Sequence, residues 1–243
     1  LFSSAASDVY KRQEDTVSLI KFDGNEAVEA ERIDVGFMFA EIEGPHGITV
    51  DPSGDFWYIS LAHGNPFGSL VKYSTKTNQA VARTTLGLFP ASMEISTITG
   101  FLYCVNFNLH GSMKPSNVSV VDPETMTEIT KITTGSMPHG SRLSPDGLFQ
   151  YSVAMMSGEL FEIDALDLKV NRVLDLENKM MSPKKMDDKM MNKNMQDNMV
   201  NNDKEKAMMS SMPNMKHSMV KPTWVIPHPC LLYTSDAADE KRW

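Results

Sequence analysis

Cysteine is nearly absent: the 243-residue sequence has two, Cys104 and Cys230. That excludes a disulfide scaffold and a cysteine-rich zinc site. Basic charge is in deficit, with 23 Lys and Arg against 31 Asp and Glu, net −8. This argues against a nucleic-acid-binding face. No run of about 18 apolar residues occurs, so no helical membrane span is expected. Several enzyme motifs are missing: GxSxG, HExxH, the P-loop and CxxCH do not appear. What the sequence has in excess is methionine, 19 residues.

The two ends read as foreign. Residues 4–13 spell SAASDVYKRQ and residues 230–240 spell CLLYTSDAADE. DNA coding for the second, read as its reverse complement, codes for the first. Residues 1–13 and 230–243 are therefore expected to be sequencing-adapter DNA read as protein, and they are set aside from fold reasoning. The native part is expected to be residues 14–229, a piece of a longer protein.

Within it the sequence repeats. Pro45, Pro90 and Pro138 are 45 and 48 apart, and Gly54, Gly100 and Gly147 are 46 and 47 apart. Each copy alternates apolar and polar residues in four short runs. Turn sequences such as SPDG at 144–147 separate them, where Ser and Asp accept local hydrogen bonds and Gly closes the turn. In the third copy the runs are HGSRLS, LFQYSVAM, ELFEID and KVNRVLDL. A preceding copy ends over residues 17–35, and another starts at 221–229. Copies of about 40–50 residues with four strands each predict an all-β fold, a β-propeller of four-stranded blades. The blades are expected over 14–178 and restart over 220–229.

LYCVN at 102–106, followed by NVSVVD at 117–122, resembles the YVTN repeat. Tyr103, Val105 and Asn106 match it, and WYIS at 57–60 and QYSVAM at 150–155 are weaker copies. The chain thus resembles the YVTN/YncE-like bacterial propellers, which are related to the propeller domains of nitrous oxide reductase and cytochrome d1. The resemblance implies a seven-bladed ring, of which this chain would supply an arc of about four blades. It also implies a protein of the periplasm or cell surface. The function expected from it is non-catalytic binding of a protein or small-molecule ligand, with no nucleic acid. An enzyme reading, redox or lactonase-like, would need catalytic residues outside this sequence.

Residues 179–219 interrupt the repeat. They hold 12 of the 19 Met together with 8 Lys and no aromatic residue. A segment with so little to bury is expected to be disordered. Thioether sulfur suits soft ions such as Cu(I). Met212, Met215, His217 and Met219 form MxxMKHSM, which resembles the Met/His motifs of periplasmic copper-handling proteins. Copper is the one cofactor the sequence suggests. The alternative is a plain low-complexity loop, or a helix whose Met stripe packs on a partner.

Four histidines precede glycine: His46, His63, His110 and His139. His46 and His139 hold equivalent places at the entrance of strand one, and His63 and His110 equivalent places after strand two. Strand one lines a propeller's channel, so His46 and His139 are candidate metal ligands, with His63 and His110 as weaker ones. A histidine-lined channel mouth resembles the copper-bearing propeller of nitrous oxide reductase, which uses more histidines, some of them adjacent. The competing reading is structural: the HG pairs are turns in which His caps a neighbouring backbone carbonyl.

Overall fold

Short alternating runs punctuated by Asp, Pro and Gly give antiparallel strands, and the structure contains fourteen of them among the described residues. It is a computed structural model that describes residues 15–37, 42–63, 66–111, 113–177 and 218–227. Strands β1 (Thr16–Phe22) and β2 (Ala27–Asp34) form a two-stranded sheet. The first full blade is β3 (Pro45–Val50), β4 (Phe56–Leu61), β5 (Ser69–Ser74) and β6 (Ala80–Thr85). The second is β7 (Pro90–Ile95), β8 (Leu102–Asn106), β9 (Pro115–Asp122) and β10 (Thr127–Ser136). The third is β11 (Pro138–Leu143), β12 (Phe149–Ala154), β13 (Glu159–Asp164) and β14 (Lys169–Asp175). Every pairing is antiparallel between chain neighbours. The fold is therefore all-β, a partial β-propeller of three complete blades and one pair of outer strands. No helix is long and apolar enough to cross a membrane among these residues.

Turn chemistry repeats from blade to blade. The turn after strand one is closed by Gly54, Gly100 and Gly147 at φ 77°, 74° and 72°, where only glycine is unstrained. The turn after strand three is closed by Asn78, Met126 and Leu168 at φ 52°, 55° and 53°. In each case the register shifts by a bulge just beyond it. Aspartates brace the same turns. Asp146 accepts from Ser144 Oγ and from the Leu148 amide at 3.1 Å. Asp164 accepts from the amides of Leu166 and Asp167, both at 2.9 Å. Those hydrogen bonds hold both carboxyls below the usual carboxylate range.

Blades cohere through their faces. Tyr58 of the first blade packs with Met93, Ile95, Leu102 and Cys104 of the second. Tyr103, Val105 and Val120 of the second pack with Ile163 and Ala165 of the third. Tyr103 donates its hydroxyl to the Ala165 carbonyl at 3.0 Å. Lys72 reaches across the first boundary, donating to the Pro123 carbonyl at 2.8 Å while lying 4.0 Å over the Phe56 ring.

Inner strands pack backbone to backbone. Gly47 donates its amide to Ser60 Oγ at 2.8 Å, and that hydroxyl donates to the Ala91 carbonyl at 2.9 Å. Ser92 Oγ donates to the His139 carbonyl at 2.6 Å. A Cβ on Gly47 would stand 2.0 Å from the Ala91 oxygen, and one on Gly140 would stand 2.6 Å from the Thr223 oxygen. The segment 218–227 thus lies against β11 as β7 lies against β3. Strand β12 ends at Ala154, one residue before the end of the run LFQYSVAM. The chain turns there, with the Gly158 amide closing on the Ala154 carbonyl at 2.9 Å.

Candidate ligand site at the channel mouth

Each blade enters its inner strand through a left-handed residue followed by proline. These are Gly44, Phe89 and Met137, at φ 63°, 55° and 53°. The residue leaving strand two pairs with that corner. The Ala62 amide donates to the Gly44 carbonyl at 2.9 Å, Phe107 to Phe89 at 2.8 Å, and Met155 to Met137 at 3.0 Å. The start of strand one and the exit of strand two therefore meet at one end of every blade. All four histidines of the HG pairs lie at that end.

The structure brings them together. His46 and His139 sit two blades apart, yet their ring centroids are 5.7 Å apart with planes at 76°. The intervening blade carries Ala91, a small residue, at the equivalent place after its proline. His63 and His110 are 5.8 Å apart with planes at 30°. Phe89 stands between the pairs, with centroids 5.6 Å from His46, 5.1 Å from His63 and 5.9 Å from His110. Phe107 adds edge contacts to Phe89 at 5.6 Å and to His139 at 4.9 Å. Trp224 meets His139 at 5.1 Å.

Local packing positions these rings. A Cβ on Gly44 would stand 2.5 Å from the His63 ring, so glycine makes room there that Phe89 and Met137 fill in the other blades. His139 is half-buried, and its Nδ1 lies 3.3 Å from the Thr223 carbonyl. A carbonyl only accepts, so Nδ1 is the protonated nitrogen and Nε2 carries the lone pair. Burial pulls the His139 pKa below its ordinary value, and the Thr223 bond opposes that. The imidazole is then neutral at pH 7. His110 is exposed, and His46 and His63 are half-buried.

Of the sequence-derived candidates, His46, His63, His110 and His139 come together, while Met219 is exposed. Met212, Met215 and His217 lie outside the described residues, as does nearly all of the 179–219 segment. Among the described residues, no three His, Cys, Asp or Glu side chains are grouped to hold a metal ion. Chemically the mouth offers imidazoles on an aromatic floor, as paired rather than four-fold ligands. Phe89, Phe107 and Trp224 were not legible as site residues from the histidine pattern. The signal for Phe89 was its place in the Gly44, Phe89, Met137 column before the repeated proline.

No family model matches the chain. No curated protein matches it. Among solved structures, hydrazine synthase of Kuenenia stuttgartiensis is similar at 26% identity and a TM-score of 0.48, covering 57% of this chain and 39% of that one. A structure of unknown function from Desulfotomaculum acetoxidans is similar at 11% identity and a TM-score of 0.53, covering 66% and 49%. The RRP9 WD40 repeats are similar at 11% identity and a TM-score of 0.45, covering 54% and 38%. The chain spans about half the length of these structures or less. At 11% identity the likeness to the Desulfotomaculum acetoxidans protein is one of fold alone, and the four-stranded antiparallel blades described above make that fold a β-propeller.

Proposed function

We propose that the chain is part of a YVTN/YncE-like binding propeller of the bacterial periplasm or cell surface. It receives its ligand or partner protein at the channel mouth. The observation that carries this reading is the convergence of four histidines and two phenylalanines from three blades at one end of the channel. Such a rim combines apolar contact area with adaptable donors and acceptors, the composition of a recognition surface. The compartment and the family rest on the sequence resemblance.

Site-specific photo-cross-linking tests this. A photoreactive residue at His110 should label a periplasmic or surface component, and His46→Ala with His139→Ala should reduce the labelling. The same residue at Lys76, at the opposite end of the blade, should not label. Equal labelling from both positions overturns the reading.

A second reading concerns residues 179–219, whose 12 Met favour a soft ion. There Met212, Met215, His217 and Met219 bind Cu(I). Titration with Cu(I) of the full chain and of a variant with the three methionines changed to Leu decides it. Equal affinity rejects it.

A further inference from the structure

From the geometry of the channel mouth, and resting on the proposal that this mouth is the binding site, we infer that His46 and His139 together chelate one imidazole-preferring divalent transition-metal ion. The remaining coordination positions are open to water or to a bound partner.

The distances carry it. A metal–nitrogen bond is about 2.0–2.1 Å, and a ring nitrogen lies about 1.2 Å from its centroid. Two imidazoles on one ion then have centroids about 5.2 Å apart at a tetrahedral angle and about 6.4 Å apart in a line. The observed 5.7 Å falls between those limits. The intervening blade carries only the methyl group of Ala91 at the equivalent place.

The orientation of His139 also fits. Metal-bound histidines donate their second ring nitrogen to a carbonyl or carboxylate, which fixes the tautomer. The Thr223 carbonyl holds Nδ1 in that way at 3.3 Å, leaving Nε2 as the ligand atom. The His63–His110 pair has a similar separation, 5.8 Å, but its rings lie nearly parallel and His110 is exposed. The His46–His139 rings are half-buried over Phe107 and Phe89, where competing water is reduced.

The class of ion follows from the donor set. Two imidazole nitrogens without a carboxylate disfavour Mg²⁺ and Ca²⁺, which take oxygen ligands. Imidazole suits Zn²⁺, Cu²⁺ and Ni²⁺. With only two protein ligands the site is open, in contrast to a closed structural zinc site with four.

The test is calorimetric titration of the full chain with Zn²⁺ alone, in a background where His217 and His228 are changed to Ala. One ion should bind, and His46→Ala and His139→Ala should each weaken it about tenfold or more. The double variant should lose no more than the weaker single one, because a chelate is lost with either arm. Lys76→Ala, at the opposite end of the blade, should leave the affinity within twofold. Thermal unfolding of the metal-free variants checks that each still folds, and His139→Gln provides a second variant of the same residue. Unchanged Zn²⁺ affinity in both single variants overturns the inference, as does equal weakening by Lys76→Ala. If the cross-link from position 110 persists while Zn²⁺ binding is absent, the metal falls and the binding mouth stands. If labelling from position 110 equals that from position 76, the mouth falls with it.

Discussion

Gly47→Ala probes the spacing of the inner strands directly. Gly47 does not sit in the left-handed region, so adding a methyl group costs nothing in backbone strain. The cost is steric: the new Cβ would stand 2.0 Å from the Ala91 oxygen, 2.9 Å from its carbon and 3.1 Å from Ser92 Cα. All three are backbone atoms of β7, so no side chain can rotate away. The strands must part by more than an ångström, which breaks the bridge from the Gly47 amide through Ser60 Oγ to the Ala91 carbonyl. Overpacking costs about 1–3 kcal/mol and the lost buried bond about 1 kcal/mol. The sum, about 2–4 kcal/mol, corresponds to a fall in Tm of roughly 5–15 °C for a chain of this size. Urea unfolding followed by tryptophan fluorescence measures it, since Trp57 is buried in the same blade and stacked on Tyr73 at 4.1 Å. Gly54→Ala is the comparison: nothing lies within 4 Å of its Cβ, and only its φ of 77° opposes the change. That cost is about 1–2 kcal/mol. Gly47→Ala within 0.5 kcal/mol of the parent chain, or cheaper than Gly54→Ala, would refute the tight packing of β3 on β7.

Tyr103→Phe removes the hydroxyl that donates to the Ala165 carbonyl at 3.0 Å and should cost about 1–2 kcal/mol in urea unfolding; a change under about 0.5 kcal/mol rejects that cross-blade bond. Cys104 is fully buried, and burial raises its thiol pKa to about 12. In a Cys230→Ser background, iodoacetamide at pH 8 should therefore modify Cys104 only after unfolding, and rapid labelling of the folded chain contradicts its placement. The Arg172 hydrogen bonds, one at 2.9 Å, hold the Glu162 pKa below the usual glutamate range. Its contribution to stability is then present above that range and is lost as pH falls through the lowered pKa. Arg172→Ala should raise the Glu162 titration midpoint in an NMR pH series, and an unmoved midpoint rejects the pairing.

Much of the fold was legible because the blades repeat. Pro45, Pro90 and Pro138 mark the inner strands, and Gly54, Gly100 and Gly147 mark the first turns. Each of these residues does a backbone task that few others can do, so the sequence keeps a visible trace. The second turns were harder to read. Asn78, Met126 and Leu168 take left-handed conformations without glycine, held by the bulged register beside them, and their side chains give no uniform signal. The histidine pairs were half legible. Equivalent positions could be read by counting repeats. That His46 and His139 come within 5.7 Å across an intervening blade depends on blade-to-blade angles, which spacing does not encode. The His139 bond to Thr223 also joins the two readings of these residues: the ring meets a neighbouring carbonyl, and that contact orients its other nitrogen.

The exits around residues 178–217 carry a consequence for how the chain tolerates change. The Leu176 amide donates to the Gly158 carbonyl at 3.0 Å, and the Ser218 amide donates to the Met156 carbonyl at 3.1 Å. Both ends of the intervening segment are thus moored to one turn, two positions apart. For a flexible loop closed between two such fixed points, each doubling of length costs about 0.6 kcal/mol of closure entropy. The two moorings themselves sit in the described blade, so they fix where the segment leaves and rejoins it. A composition as skewed as its methionine run can drift or be selected there for its own chemistry, and the same moorings would accept a grafted module.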